Sequence, residues 1–364
     1  MRPVEDRPAQ IGDTLLLDLT RTRRARLIAL PGEAAVPEDA TKDGEPESLQ
    51  NVTVELGASA NPPGFDDHLV GTSTNDERSF TTRFPDEYEI EDLRGATVDY
   101  AITVKGIRRK ELLALDDDFA GPDLRTSWWI DHYLPQWTTP DRSRARYDLG
   151  PRGLRLRIDA DQPDWRPEDG PSRVSNLQTA AFAGPTGGSR GTHRHRPDGL
   201  VVRTPVPTQL LWTPTAGRLD VTVSASRDPG CMIAAWLVGT EHRDPAESGE
   251  VCVFEIDADA VAGASTTARC GIKAHHDPRL TTDMADVVVP VDASRSHTWT
   301  VVWGGGRTVI GCEGVVVRQL AQSPDYPMQL MLDLFEVGGD RSGAYPRSAW
   351  VHRVRGWDES TPRR

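Results

Sequence analysis

Short apolar runs separated by turn-forming residues fill the chain from about residue 150 to its end. Gly, Pro, Asp and Asn lie between the runs, and this pattern is typical of a β-sandwich or barrel. About 240 residues is large for an immunoglobulin-type domain and suits a jelly roll of two large antiparallel sheets. The predicted strands are residues 154–158, 200–203, 210–212, 219–224, 232–237, 251–256, 287–291, 297–303, 308–310, 315–320, 328–334 and 350–355.

Tryptophan and cysteine are unevenly distributed along the 364 residues. All ten tryptophans and all four cysteines lie beyond residue 115. The earlier segment has strand-like stretches at 12–20, 52–56, 78–84 and 96–104, a loop at 31–50 and a possible short helix at 65–70. The fold class that we predict is therefore mainly β, with a small α+β domain over residues 1–115, a β-sandwich over 116–358 and a tail over 359–364.

The net charge of −13 limits which classes of partner the chain is expected to bind. Nucleic acids and anionic membranes require a basic face, so neither is an expected partner. No run of about 18 apolar residues is present, and the N-terminus has no apolar core of a signal peptide, so a cytoplasmic location is expected. The cysteines form no CxxC pair, and we expect free thiols rather than a structural zinc site.

The first domain carries several family-like stretches in order. They are VTVELG at 52–57, PPGFDDHLVG at 62–71, FPDEYEIEDLRG at 84–95 and VDYAITVKGIRRKELLALDDDF at 98–119. Together they resemble the peptidyl-prolyl isomerase domain of bacterial trigger factor, an FKBP-type fold. The resemblance implies a proline-containing polypeptide as partner and a pocket of Phe65, Phe84, Tyr88 and Tyr100. Such a pocket desolvates and twists an amide whose rotation barrier is high.

This domain also differs from that family. Leu19 stands in place of a phenylalanine after the first strand, Pro62 replaces an isoleucine, and residues 21–50 replace the Gly-rich flap. Two interpretations therefore stay open, a working isomerase and an FKBP-type fold that serves as a docking module.

The second domain carries a different set of stretches. They are DDFAGPDLRTSWW at 117–129, MIAAWLV at 232–238, SGEVCVFEI at 248–256 and SPDYPMQLMLDL at 323–334. They resemble family 16 glycoside hydrolases, the laminarinase and lichenase group, which have a concanavalin A-like jelly-roll β-sandwich. The resemblance implies a β-glucan or related oligosaccharide as substrate, with Glu250 as nucleophile and Glu255 as acid/base. No cofactor is expected, and a structural calcium, which members often bind, is not fixed by any residue here.

The spacing of Glu250 and Glu255 makes a structural demand. Hydrolysis with retention needs two carboxyl groups about 5–5.5 Å apart, one ionised to attack the anomeric carbon and one protonated to release the leaving oxygen. Residues i and i+2 share a face of a strand, whereas these two glutamates are five apart. A β-bulge between them is therefore predicted.

Cys252 is the main departure in this motif. It stands where the family has an aspartate that hydrogen-bonds the nucleophile, and a thiol is a weak donor that supplies no second charge. The alternatives that stay open are a glycan-binding sandwich without catalysis and an isomerase or chaperone whose sandwich recognises a partner.

Several aromatic and polar residues complete the predicted glycan site. Trp236 is expected to stack on a sugar ring, with core packing as the alternative. The other candidates are Trp128 and Trp137, expected to line the cleft, Gln178 and His193, at positions where the family has polar groups, and His297, which matches a family histidine for which packing is as good an explanation.

Two histidine-containing segments contain potential metal ligands. They are residues 193–196, His-Arg-His-Arg, and residues 275–277, His-His-Asp. No cysteine or carboxylate completes a known ligand spacing in either segment. Loop surface is therefore the favoured interpretation, and no metal site is predicted.

Overall fold

The computed structural model describes residues 2–4, 7–24, 27–28, 36–37, 44–109, 111–196 and 199–359. The chain divides into two compact units, Leu113–Glu359 forming the second and Met1–Leu112 most of the first. Residues 360–364 of the predicted tail lie outside the described residues, and Glu359 ends the last strand. Among the described residues, no helix is long and apolar enough to cross a membrane.

The first unit is built on one antiparallel sheet. Its strands are β1 (Arg2–Pro3), β2 (Asp13–Arg23), β5 (Glu47–Glu55), β6 (Glu77–Arg83) and β7 (Thr97–Arg109), and a separate two-stranded sheet joins β3 (Leu27–Ile28) to β4 (Val36–Pro37). The order is β1-β7-β2-β5, with β6 also on β7. Alternation in β2 buries Leu15, Leu17 and Leu19 in the core of the unit, as a half-buried strand requires.

Helix is scarce in the described part of the first unit. The predicted helix at 65–70 is a 3-10 turn, Asp66–His68, and a second 3-10 turn is Glu91–Leu93. The predicted loop at 31–50 ends earlier than expected, because β5 begins at Glu47. Residues 31–35 and 38–43 of that loop lie outside the described residues.

The second unit has the two large antiparallel sheets that were predicted. The eight-stranded sheet has the order β21-β20-β19-β14-β23-β10-β9, with β8 on β23. Its strands are β8 (Glu111–Asp117), β9 (Arg146–Gly150), β10 (Gly153–Ile158), β14 (Gly217–Ser224), β19 (His297–Gly304), β20 (Arg307–Cys312), β21 (Val315–Leu320) and β23 (Arg347–Glu359).

The six-stranded sheet has the order β11-β22-β15-β16-β17-β18. Its strands are β11 (Ser172–Gln178), β15 (Cys231–Gly239), β16 (Glu250–Asp257), β17 (Thr266–Lys273), β18 (Asp283–Val289) and β22 (Met328–Val337); β12 (Ala180–Ala181) and β13 (Gln209–Leu210) form a separate pair. The only α-helix among the described residues is α1 (Pro140–Ser143), and the 3-10 turns are Pro135–Trp137, Pro167–Asp169 and Ala258–Ala260. The predicted strand at 200–203 is absent from this set.

Each face of the six-stranded sheet is covered by a different layer. We call the face toward the eight-stranded sheet the inner face; apolar side chains of both sheets fill the space there, and Phe254 lies 5.3 Å from Trp299 between ring centroids. The opposite, outer face is covered by segments between strands, which contribute Trp137, Trp165 and Val202. Leu200 and Val202 pack on this face, and the Val202 backbone bonds to Gly187 and Gly188 outside any β-ladder, so residues 200–203 do not form a strand.

Candidate active site

A β-bulge in β16 determines which side chains reach the outer face. Ala235 of β15 is paired with Phe254 and the next residue, Trp236, with Cys252, so Val253 is the extra residue. Val253 and Phe254 both pack into the inner core. The register with β17 shifts at the same place. The predicted bulge is therefore present, and it brings Glu250 and Glu255 to one face.

The two glutamates lie close together in a buried position. A carboxylate oxygen of Glu250, one of Glu255 and the Cys252 Sγ are all within 4.8 Å of one another. Glu250 is 1% exposed and Glu255 8% exposed. This separation is near the value that a retaining glycosidase requires, and far below the roughly 6.5–9.5 Å of an inverting one.

Lys273, the last residue of β17, pairs with both carboxylates. Its Nζ lies 2.9 Å from Glu250 Oε1 and 2.8 Å from Glu255 Oε1. Burial lowers the pKa of this ammonium, but the two carboxylates outweigh burial and the net shift is upward. Arg269 Nε donates a 2.9 Å hydrogen bond to Glu255 Oε2. Both glutamates thus have a cationic partner within hydrogen-bond distance.

Glu250 is held as an anion despite its burial. Burial raises its pKa, yet the hydrogen bond with His275 and the positive charge of Lys273 lower it to about 2. The His275 Nε2 lies 2.8 Å from Glu250 Oε2. An ionised carboxylate is the form that a nucleophile needs.

Cys252 and Asp333 also lie on this face, close to the glutamates. Burial and the two glutamates raise the pKa of the Cys252 thiol far above its usual value, and its Sγ donates to the Arg269 carbonyl. Asp333, in β22, is fully buried and accepts a 2.8 Å hydrogen bond from Asn176 Nδ2. Burial raises its pKa well above the usual range, with the negative charges of the glutamates adding to the shift. Asp333 was missed from the sequence, although a charged residue inside the apolar run MQLMLDLF is an unusual signal.

His193 and His275 meet at Glu250. Their ring centroids are 5.1 Å apart at 89°, and one ring nitrogen of each lies within 4.8 Å of the other and of a Glu250 oxygen. His193 is 8% exposed, so the expectation of loop surface is wrong for it, because the segment folds inward over β16. Burial lowers the pKa of His193 to about 3 and keeps its imidazole neutral.

Three further predicted residues are buried in supporting positions. Trp236 is 7% exposed and packs against Phe335 at 5.7 Å, with Lys273 above its ring at 5.3 Å. Trp137 Nε1 donates to the Thr192 carbonyl at 3.0 Å. The Gln178 amide accepts from the Leu134 backbone N–H and donates to the Ala180 carbonyl. In this structure, these side chains hold the covering segments in place and present no open ring face.

Trp128 and His297 are not brought to the glutamates. Trp128 packs against the inner core, with the Arg125 guanidinium 5.2 Å from its ring. His297 begins β19 in the eight-stranded sheet, where its Nε2 lies 3.1 Å from the Asp292 carbonyl. Both positions are structural, because a residue of the other sheet or of the inner core cannot reach the outer face.

The predicted isomerase pocket is an aromatic cluster in the core of the first unit. Phe65 and Tyr100 are buried, with ring centroids 5.3 Å apart, and buried Phe84 lies 4.8 Å from Tyr88. Phe80, which sequence reasoning missed, contacts both Phe65 and Tyr100. The period-2 pattern of β6 was the available signal for it.

The four cysteines are free, as expected from the sequence, and all four are buried. Their burial raises the pKa of Cys231 to about 12 and those of Cys270 and Cys312 to about 11. Thiols in this state are unreactive, since the thiolate is the nucleophile and the metal ligand. The chemistry of the outer face therefore depends on its carboxylates, imidazoles and amine.

Comparison with known sequences divides the chain in the same way. No protein-family model matches it. A trigger factor of Thermoanaerobacter sp. (strain X514) is 33% identical over 121 residues, which are 32% of this chain and 24% of that protein. A trigger factor of Lactiplantibacillus plantarum is 35% identical over 116 residues, 32% of this chain and 23% of that protein. The chain thus spans about a quarter of the length of these relatives, and the predicted similarity to trigger factor is confirmed.

The fold of the sandwich has a counterpart among solved structures. It is similar to the "GlcNAc[alpha]1-4Gal releasing endo-[beta]-galactosidase from Clostridium perfringens", with a TM-score of 0.60, 22% identity, and coverage of 69% of this chain and 63% of that chain. A laminarinase catalytic domain from Thermotoga maritima MSB8 aligns over 70% of this chain and 100% of its own, with 11% identity and a TM-score of 0.47. The predicted jelly-roll fold is confirmed.

Proposed function

We propose that the sandwich is a retaining endo-glycosidase in which Glu250 is the nucleophile and Glu255 the acid/base. The observation that carries this proposal is the pair of buried carboxylates within 4.8 Å on one face of the sheet. The low pKa of Glu250 supports its assignment as the nucleophile, since it is ionised at neutral pH.

The proposed substrates are β-linked polysaccharides or oligosaccharides. The sequence resemblance favours β-glucans such as laminarin and lichenan. The similar structure from Clostridium perfringens is that of an endo-β-galactosidase, which adds β-galactosides to the candidate substrates. Trp236 requires movement of Lys273 before its ring can contact a sugar.

Catalysis proceeds through a covalent sugar ester. Glu250 attacks the anomeric carbon while Glu255 protonates the oxygen that leaves, and a water activated by Glu255 then cleaves the ester. Lys273 Nζ contacts both carboxylates, so the bound sugar must displace it before the attack. Arg269 and Lys273 both contact Glu255, so transfer of a proton to the leaving oxygen also requires these contacts to loosen. We therefore expect slow turnover.

The test compares wild type with Glu250→Gln and Glu255→Gln on laminarin, lichenan and β-galactosyl oligosaccharides. Release of reducing ends by wild type, with a product of retained anomeric configuration by NMR, is the expected result. Each substitution should reduce the rate by about 10²–10⁴-fold or more. Glu247→Gln, a substitution in the segment just before β16, is the matched control and should hydrolyse like wild type. Hydrolysis that survives Glu250→Gln would exclude the proposed nucleophile.

A second candidate function is glycan binding without hydrolysis. The observation that favours it is the neutralisation of both glutamates by Lys273 and Arg269, together with the neutral thiol of Cys252. Isothermal titration with the same oligosaccharides separates the two functions. Binding without release of reducing ends supports this candidate, whereas turnover rejects it.

The first unit is proposed to be a prolyl isomerase, on the basis of its similarity to part of trigger factor. Tyr100 and Phe80 form one side of a surface depression on the sheet, where a prolyl ring has aromatic contacts. A proline-peptide isomerisation assay with the whole chain tests the activity, with Phe80→Ala as the variant. If the isomerisation rate with the wild-type chain equals the rate in buffer alone, the isomerase proposal is rejected and the docking-module interpretation is favoured.

A further inference from the structure

Two segments far apart in the sequence converge on one oxygen of Glu250. His193 lies in the segment that covers the outer face, and His275 follows the end of β17. Their ring nitrogens and a Glu250 oxygen are mutually within 4.8 Å. The three residues come from three separate parts of the fold, so no local spacing in the sequence announces the cluster.

We propose that His193, Glu250 and His275 bind a divalent transition metal ion of the zinc type. Two imidazoles and one carboxylate are a ligand set that zinc uses when a fourth position stays open. Ligand atoms about 2.0–2.2 Å from a tetrahedral zinc lie roughly 3.3 Å from one another. The observed 2.8 Å between His275 Nε2 and Glu250 Oε2 needs only a small expansion to admit the ion.

The state of His193 is a second observation that points to a ligand. It is 8% exposed, and its ring makes contacts with the rings of His195 and His275. Among the described residues, none forms a hydrogen bond with its ring nitrogens. Because no described side chain or backbone group competes for these nitrogens, a metal ion can bind one of them without breaking a hydrogen bond.

Lys273 sets the geometry of the proposed site and limits its affinity. Its Nζ is 2.9 Å from Glu250 Oε1, whereas His275 contacts Oε2. The ammonium therefore occupies one oxygen and leaves the other for the metal. Its positive charge repels the ion, so the affinity should be lower than that of a His2Glu site without a neighbouring cation. A metal ion on Oε2 would also engage the carboxylate that the proposed hydrolysis uses as its nucleophile.

The experiment titrates the whole chain with CoCl₂, without sugar, and follows the visible absorption and the heat of binding. We expect one equivalent to bind with a spectrum of nitrogen and oxygen ligation. His193→Gln and His275→Gln should each weaken binding by more than the roughly 10–100-fold that outer-shell substitutions cost. His276→Gln, which changes the neighbouring imidazole hydrogen-bonded to the Arg194 carbonyl, is the matched control and should bind like wild type.

Three results would overturn the metal site. One is no binding at about 1 mM cobalt, far above the affinities typical of zinc sites. Another is binding that neither histidine substitution weakens, in variants whose thermal unfolding matches wild type. The third is a thiolate-to-cobalt charge-transfer band that disappears in Cys252→Ser, which would assign the ion to Glu250, Cys252 and Glu255 instead. Because no sugar is present, these outcomes are independent of whether the sandwich hydrolyses glycans.

Discussion

Both faces of the six-stranded sheet are covered along β15 and β16, but the two are stabilised in different ways. Along β15, Ile233 and Leu237 point to the inner core, whereas Ala234, Trp236 and Val238 belong to the outer cluster. The inner face is apolar and is stabilised by the area it removes from water. The outer face holds Glu250, Glu255 and Asp333 at 8% exposure or less.

This difference separates two properties of the sheet: the inner face contributes most to the free energy of unfolding, and the outer face carries the reactive groups. When apolar atoms are removed, the loss of stability grows with the number of atoms removed. When one partner of a buried ion pair is removed, the other charge is left buried and unpaired, and the whole contribution of the pair is lost. Substitutions on the inner face should therefore change the free energy of unfolding and leave the chemistry of the outer face intact. Substitutions on the outer face should show strong coupling between neighbours.

The largest effect is expected for Phe254→Ala on the inner face. The Phe254 ring is fully buried against Trp299, and its loss leaves a cavity between the sheets. We expect the free energy of unfolding to fall by about 3–5 kcal/mol. Urea denaturation followed by tryptophan fluorescence measures it. Val288→Ala, at a valine of β18 that is 72% exposed, is the control and should change stability by no more than about 0.5 kcal/mol. Equal effects of the two would refute the assignment of the inner core.

The next effect is expected for Lys273→Met on the outer face. Without the ammonium, two carboxylates within 4.8 Å of each other keep only Arg269 and His275 as partners. Because the Lys273 side chain is 30% exposed, the loss should be about 2 kcal/mol, less than for a fully buried pair. The double variant Lys273→Met/Glu255→Gln should regain part of this loss, since one charge is removed. Simple additivity of the two single substitutions in urea denaturation would argue against a shared ammonium.

The smallest effect is expected for Asp333→Asn, and it should depend on pH. The folded-state pKa of Asp333 is raised, so above pH 3.8 the folded chain retains a proton that the unfolded chain releases. Stability from this group is thus present at low pH and lost as pH rises through the raised pKa. The substituted amide would not titrate and could still accept from Asn176, so the two proteins should be within about 1 kcal/mol at pH 5. Thermal unfolding should therefore show that the stability of the variant relative to wild type is greater at pH 8 than at pH 5. A difference that stays constant would indicate an unshifted Asp333.

Most of the sandwich was predictable from the sequence, because period-2 patterns and turn residues are local. The strands at 154–158, 232–237 and 328–334 all lie within β10, β15 and β22. The error at 200–203 has a physical cause: Leu200 and Val202 bury their side chains on the outer face, while the Val202 backbone bonds to the loop at Gly187 and Gly188 and not to a strand. Pattern alone does not distinguish the two cases.

The site was predictable only in part. The bulge at Val253 followed from the odd separation of Glu250 and Glu255, since face alternation is a local rule. Lys273 and His275 were not predicted as their partners, because pairing between β16 and β17 is a long-range property of the fold. Trp128, expected to line the cleft, packs against the inner core, and His297, for which packing was one of two explanations, lies in the eight-stranded sheet.

Because Val253 is an extra residue in β16, the deletion of one residue from this strand and the insertion of one residue into it should have different consequences. Deleting Val253 would leave the glutamates four apart, and a regular ladder would keep both carboxylates on the outer face. Inserting a residue beside Val253 would leave them six apart with the bulge still present, so one carboxylate would turn into the apolar interior unless the bulge itself were lost. Laboratory evolution of this protein should therefore accept a shortened β16 more readily than a lengthened one.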